Sequence, residues 1–135
     1  MLNIRLMIIA LAFVMAVPMV AEAGSYIRKN GSIVAEIDGD YLREHGSIIA
    51  TFDGRYLRKN GSIYAEFDGR YLRKNGSIYA EFDGNYIRMS GSIVWEIDDR
   101  GYARKHGSIM YSVDGYTGSE RMKQKVAAFL LFFAD

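Results

Sequence analysis

Three kinds of chemically capable side chain recur along this chain at one interval. Aspartates open the second turn of each copy at Asp38, Asp53, Asp68, Asp83, Asp98 and Asp114, directly before a glycine except at Asp98, where Gly101 lies three residues on. Arginines stand at Arg28, Arg43, Arg58, Arg73, Arg88 and Arg104, and tyrosines at Tyr26, Tyr41, Tyr56, Tyr71, Tyr86 and Tyr102, joined by Tyr64 and Tyr79. Periodic Asp with Gly invites a calcium reading. Calcium-binding β-helix repeats are nonapeptide and richer in Gly, however, and one carboxylate per turn falls short of the about six to eight oxygens that calcium takes. Turn chemistry accounts for these aspartates. The Tyr and Arg series point to a surface of aromatic rings and guanidinium groups able to stack on sugars or hold acidic polymers, with avidity from repetition. Its candidate residues are Tyr41, Tyr56, Tyr71, Tyr86, Arg43, Arg58, Arg73 and Arg88. The plainer alternative is a solvated wall of cross-strand ion pairs, with Glu36, Glu66, Glu81 and Glu96 diagonal to the arginines and Thr51 and Ser112 in the remaining copies.

Catalysis finds little support. His45 and His106 both occupy the Asn position of a turn, there is no Cys, and no Ser-His-acid arrangement stands out. A repeat that brings the same few residues in each copy does not concentrate unlike groups in one place. The expectation is a protein that is not an enzyme, with no catalytic residue, metal ligand or cofactor.

The elements that carry these residues follow from the repeat. Gly-Ser-Ile recurs at Gly31, Gly46, Gly61, Gly76, Gly91 and Gly107, spaced 15 residues apart and once 16. Each copy holds two turn signals, such as Asn60-Gly61 and Asp68-Gly69, and between them apolar and polar residues alternate at the strand period of two. The array reads as a meander of short antiparallel strands, which twists, curls and closes to hide its edges. A shallow pseudo-symmetric barrel or flower is expected; a propeller blade needs four strands, and hairpin turns argue against a solenoid. With Asp68-Gly69 as a two-residue loop and Lys59-Asn60-Gly61 as a three-residue loop, Leu57, Ile63, Ala65 and Phe67 form the core face. Tyr56, Arg58, Ser62, Tyr64 and Glu66 face outward. Trp95 and Ala103 exchange large for small and fall opposite one another in that register.

The run Arg-Lys-Asn-Gly-Ser-Ile followed by Glu-Ile/Phe-Asp-Gly, as in Arg28 to Gly39, Arg58 to Gly69 and Arg73 to Gly84, resembles the bacterial β-flower proteins, particularly the five-fold type. The resemblance covers Tyr26 to about Gly115. Counted from the glycine there are five complete units with a half unit at either end, which suits five-fold closure. It implies a flower-shaped β-barrel behind a signal peptide, and no activity.

Beyond the array, two apolar segments differ in kind. Leu6 to Val20 is an apolar run of 15 residues after the positive charge of Arg5, and Ala21-Glu22-Ala23 matches the small-x-small pattern read by signal peptidase. Residues 1–23 are expected to be a signal peptide, with cleavage near Ala23-Gly24 and export to the periplasm or outside the cell. Residues 24–116 form the repeat domain, and residues 117–135 a carboxy-terminal helix capped by Ser119 with Glu120 in its first turn. Met122, Val126, Phe129, Leu130 and Phe133 fall on one helical face, with Leu131 and Phe132 opposite, so the helix is apolar nearly all round. The nine apolar residues Val126 to Ala134 are under half of the about 20 that spanning requires. A plug against the barrel mouth is the direct reading; an interfacial membrane contact or an oligomerisation helix is the alternative.

From Tyr26 to Tyr116 there are 13 Lys and Arg against 13 Asp and Glu, interleaved rather than gathered into a stripe, which argues against nucleic acid as a partner. The functional expectation is a structural or binding module of the bacterial envelope. One alternative is a glycan- or polymer-binding module acting through the Tyr/Arg ring, and another is peripheral membrane association through the helix.

Overall fold

The computed structural model describes residues 24–134; the signal-peptide expectation lies outside them. Twelve antiparallel strands follow one another around a closed barrel. They are β1 Ser25–Lys29, β2 Ser32–Asp38, β3 Tyr41–Glu44, β4 Ser47–Asp53, β5 Tyr56–Lys59, β6 Ser62–Asp68, β7 Tyr71–Lys74, β8 Ser77–Asp83, β9 Tyr86–Met89, β10 Ser92–Ile97, β11 Tyr102–Lys105 and β12 Ser108–Val113. A single helix among the described residues, α1 Glu120–Phe132, follows them. The barrel of hairpin repeats with a carboxy-terminal helix is thus the observed architecture.

Closure is six-fold rather than five-fold. The half units at the two ends pair with each other, Ile27 opposite Val113 and Arg28 opposite Ser112. This is the pairing that Leu57 makes with Phe52 and Arg58 with Thr51 inside the chain. A count made from the glycines divides the sixth unit between the chain's two ends and so misses it.

The turns differ from the expected register by one residue. Asp68 lies opposite Tyr71 and Phe67 opposite Leu72, so the two-residue loop is Gly69-Arg70, with Gly69 at φ +59°. Glycine at the first loop position is what a type II′ hairpin demands. At the other turn Lys59 pairs with Ser62 across Asn60-Gly61, both at positive φ, as a type I′ turn requires. A bulge then leaves Tyr64 unpaired between Ile63, opposite Arg58, and Ala65, opposite Leu57. One extra residue inverts the in-out alternation before it. Ile63 therefore faces solvent, half exposed, with its five counterparts Ile33, Ile48, Ile78, Ile93 and Ile109, while Tyr64 turns inward to meet the helix.

The same shift separates the supposed Trp95 and Ala103 pair. Trp95 lies opposite Ile87, and Ala103 lies opposite Ile97 and Tyr111. The volume exchange is nonetheless present: Trp95 and Tyr111 approach to 5.9 Å between ring centroids from the strands on either side of β11, over the space that Ala103 leaves.

The core is the barrel interior. Leu42, Leu57, Leu72 and Ile27 are fully buried, as are Ala50, Ala65 and Ala80 to within a few per cent. Small alanines line the long strands because a helix lies against them. Twelve strands about 4.8 Å apart enclose a ring about 18 Å wide before tilt widens it, enough for one helix of about 10 Å diameter inside short side chains. In α1 five consecutive residues, Val126 to Leu130, are buried, which covers every azimuth of the helix. Its first turns meet the glycine-loop end: Arg121 donates to the Gly54 carbonyl at 2.6 Å, Lys125 to that of Gly39 at 2.6 Å and Lys123 to that of Gly84 at 3.3 Å. Its last turn reaches the opposite end, where Phe132 packs against Tyr64 and Tyr79. The helix therefore runs through the lumen, deeper than a plug resting on the mouth. Burial pushes the Lys125 ammonium below its usual range, aided by Arg121 and opposed by Asp40.

Candidate functional site: the outer wall

With the lumen filled, the accessible chemistry lies on the outer wall and the two rims. All eight candidate wall residues face outward on the short strands. Arg43, Arg58, Arg73 and Arg88 sit on β3, β5, β7 and β9, and each meets the aspartate five residues earlier: Nε of Arg58 lies 2.8 Å from Asp53, of Arg73 2.9 Å from Asp68, of Arg88 3.0 Å from Asp83 and of Arg43 3.2 Å from Asp38. Each also donates through Nη1 to the glycine carbonyl three residues on, such as Gly61 for Arg58 at 3.3 Å. The ring of arginines is thus tied to the aspartates of the turns, not to the glutamates expected to face them. Glu66 and Glu81 instead bind Arg55 and Arg70, the residues that follow the loop glycines.

Those two arginines, with Arg100 at the loop before β11, divide the tyrosines into two classes. Arg55 lies over the Tyr56 ring at 5.5 Å, Arg70 over Tyr71 at 5.5 Å and Arg100 over Tyr102 at 5.8 Å. The Tyr56 hydroxyl, then the Glu66 carboxylate, holds the Arg55 guanidinium above its usual range, and Tyr71 with Glu81 does the same for Arg70. Tyr26, Tyr41 and Tyr86 follow Ser25, Asp40 and Asn85 instead; Arg43 lies over Tyr41 at 5.4 Å and Arg88 over Tyr86 at 6.0 Å, but these three are the tyrosines left exposed, Tyr41 most of all at 42%. No single repeat predicts this division, because the residue before each tyrosine is the variable one of the unit.

Two shallow grooves of the wall are equivalent by repeat. One of about 200 Å³ is lined by Tyr26, Ile33, Glu36, Arg43 and the His45-Gly46 turn. The other, of about 170 Å³, is lined by Tyr56, Ile63, Glu66, Arg73 and the Asn75-Gly76 turn. A larger concavity of about 440 Å³ opens beside Tyr41, bounded by Asp38, Asp40, Thr51, Asp53 and Arg58.

The helix residues named from sequence lie elsewhere. Val126, Phe129 and Leu130 are buried in the lumen, and Met122 and Phe133 are half-buried against the core. At the helix's far end Lys29, Lys59, Lys74 and Lys105 lean over Tyr111, Tyr64 and Trp95, with Lys74 4.2 Å from the Tyr64 ring centre. These cations stand where the helix dipole is negative. At the opposite rim a recess of about 530 Å³ separates the helix's first turn from the β6–β7 and β8–β9 loops, floored by Phe82.

Among the described residues no group of three or more His, Cys, Asp or Glu is placed to hold a metal ion. Neither a protein-family model, nor a curated protein, nor a solved structure matches the chain.

Proposed function

We propose that this chain is an exported, non-enzymatic binding module of the bacterial envelope that holds a repetitive polymer or glycan against its outer wall. The observation that carries this reading is the recurrence of one groove, built from Tyr, Ile, Glu and Arg, in two copies of the repeat that stand two units apart on the wall. A polymer with a regular repeat meets a wall with a regular repeat, and several weak contacts then add to avidity. Pre-formed ion pairs keep each guanidinium in place, so little side-chain entropy is lost on binding. The likeness of the repeat to the β-flower proteins and the amino-terminal apolar run support placement in the envelope.

Membrane association is less well supported. Val126 to Leu130 of α1 are already covered by the lumen, and no described helix is long and apolar enough to cross a bilayer. The strands are four to seven residues long, against about nine to eleven for a spanning strand, and the wall carries ion pairs at every hairpin.

Cosedimentation with isolated cell-wall polymer tests the reading. The full chain is expected to pellet with polymer, and Tyr41→Ala with Tyr86→Ala to remain in solution while melting at an unchanged temperature. Failure of the parent chain to pellet, or an equal loss of stability in the double variant, would overturn it.

A further inference from the structure

The six copies of the wall are not equal, and the difference singles out one of them. Where an Arg follows the loop glycine and a Glu stands on the next long strand, the pair closes over the tyrosine, as Arg55 with Glu66 does over Tyr56 at 2.9 Å. The Tyr102 copy lacks the glutamate, having Ser112, but keeps Arg100 over its ring. The Tyr26 and Tyr86 copies lack the arginine but keep Glu36 and Glu96 opposite the tyrosine. Among the described residues only the Tyr41 copy lacks both, with Asp40 in place of the arginine and Thr51 in place of the glutamate. The space which that ion pair fills elsewhere is, beside Tyr41, the concavity of about 440 Å³.

We infer that the concavity beside Tyr41 is a sugar-binding site, taking one hydroxyl-rich ring without a carboxylate, stacked on the exposed Tyr41. The inference rests on the polymer-binding reading of the wall and names its ligand and its strongest site. Arg43 lies over the Tyr41 ring at 5.4 Å, as Arg58 does over Tyr56 at 5.9 Å, but among the described residues no second arginine covers it as Arg55 covers Tyr56. The ring stays 42% exposed, and its open face offers the flat apolar surface that the C–H face of a pyranose matches. The rim supplies mainly acceptors: the Asp38, Asp40 and Asp53 carboxylates and the Thr51 hydroxyl. Asp53 already receives Arg58, and Asp38 receives Arg43, through one oxygen each. A carboxylate accepts more bonds than one, so lone pairs remain for donors from the ligand. Asp40 is 67% exposed and sits 3.8 Å from Lys125 and 3.9 Å from Arg121, so it too keeps open acceptor positions. Sugar hydroxyls are such donors. The cations around the concavity, Arg43, Arg58, Arg121 and Lys125, are already engaged by its carboxylates, so none of them is left free to receive the charge of a uronate.

The test exchanges the lid between copies. Asp40→Arg with Thr51→Glu writes the Tyr56 copy's residues into the Tyr41 copy, and Arg55→Asp with Glu66→Thr writes the open residues into the closed copy. Both use combinations of residues already present in this barrel, and thermal melts confirm folding. Calorimetric titration of the full chain uses N-acetylchitotetraose and cellotetraose as neutral probes and tetragalacturonate as the acidic one. The expected result is one strong neutral-sugar site in the parent chain, an affinity about tenfold lower in the first variant, and a second site in the other. If the first variant folds and binds neutral sugar as the parent does, or if only tetragalacturonate binds, the inference is overturned while the wider reading of the wall stands. If the parent binds none of the three and also fails to pellet with polymer, both are overturned.

Discussion

Arg28 and Asp114, 86 residues apart, form an ion pair at 2.8 Å that repeats the one Arg58 forms with Asp53 only five residues away. The seam where the two ends of the array meet is therefore built as any other junction between hairpins, down to the Asp114 amide donating to the Tyr26 carbonyl. Equal geometry implies equal energy. Arg28→Ala and Arg58→Ala are each expected to lower stability by about 0.5–1 kcal/mol, as exposed pairs do. Chemical denaturation of both variants checks this, and a much larger loss at the seam would mean that closure depends on that pair alone.

The type I′ turns carry a second expectation. Asn30, His45, Asn60, Asn75, Ser90 and His106 all adopt φ near +52°, where a side chain other than Asn or Gly is strained. Ser90→Asn should stabilise the barrel by up to about 1 kcal/mol, and Asn60→Ala should cost about 1 kcal/mol. Thermal melts of the two variants should move in opposite directions.

Tyr116 gives a pH dependence with a definite sign. Its hydroxyl is buried without a hydrogen-bond partner among the described residues, and burial, helped by Asp99 and Asp98, pushes it from 10.0 up to about 12. A group raised on folding contributes stability that is complete below its unfolded value and lost as pH rises through its folded value. The melting temperature should therefore fall between pH 10 and about 12, and Tyr116→Phe should flatten that part of the profile. At neutral pH the same substitution should be neutral or stabilising by about 1 kcal/mol, because it removes an unsatisfied hydroxyl. A loss of stability at pH 7 would show that the hydroxyl has a partner in solution.

The helix in the lumen is the largest single contribution to the core that one variant can probe. Phe129 packs edge-on against Tyr111 at 5.5 Å and is 3% exposed. Phe129→Ala should cost about 3–5 kcal/mol, since the surrounding sheet is closed and cannot collapse into the space. A surface helix would lose far less, so denaturant titration separates the two.

Period, strand type and turn positions were readable in the sequence because each is a local signal repeated six times, and the carboxy-terminal helix because its apolar run follows the Ser119 cap. The register was not, because Asp68-Gly69 and Gly69-Arg70 are equally good loops by composition and only the bulge at Tyr64 makes both turns agree. That bulge also explains why Ile63 looks like core and is not: a β-branched apolar residue in a strand carries no mark of the face it will take. At the site, the Tyr and Arg series were visible as a wall. What distinguishes Tyr41 from Tyr56 was not, since it depends on Asp40 in the β2–β3 turn and Thr51 on β4, 11 residues apart in the chain, coming together beside the same ring.

The central claim is that this barrel is sealed within and binds through its outer wall. Amide chemical-shift mapping during titration of the labelled full chain with N-acetylchitotetraose tests it most directly. The account predicts shifts centred on Tyr41, Thr51 and Arg58, with Val126 to Leu130 unmoved. Shifts centred on the helix or on the lysines at its far end, or none at saturating sugar, would contradict it.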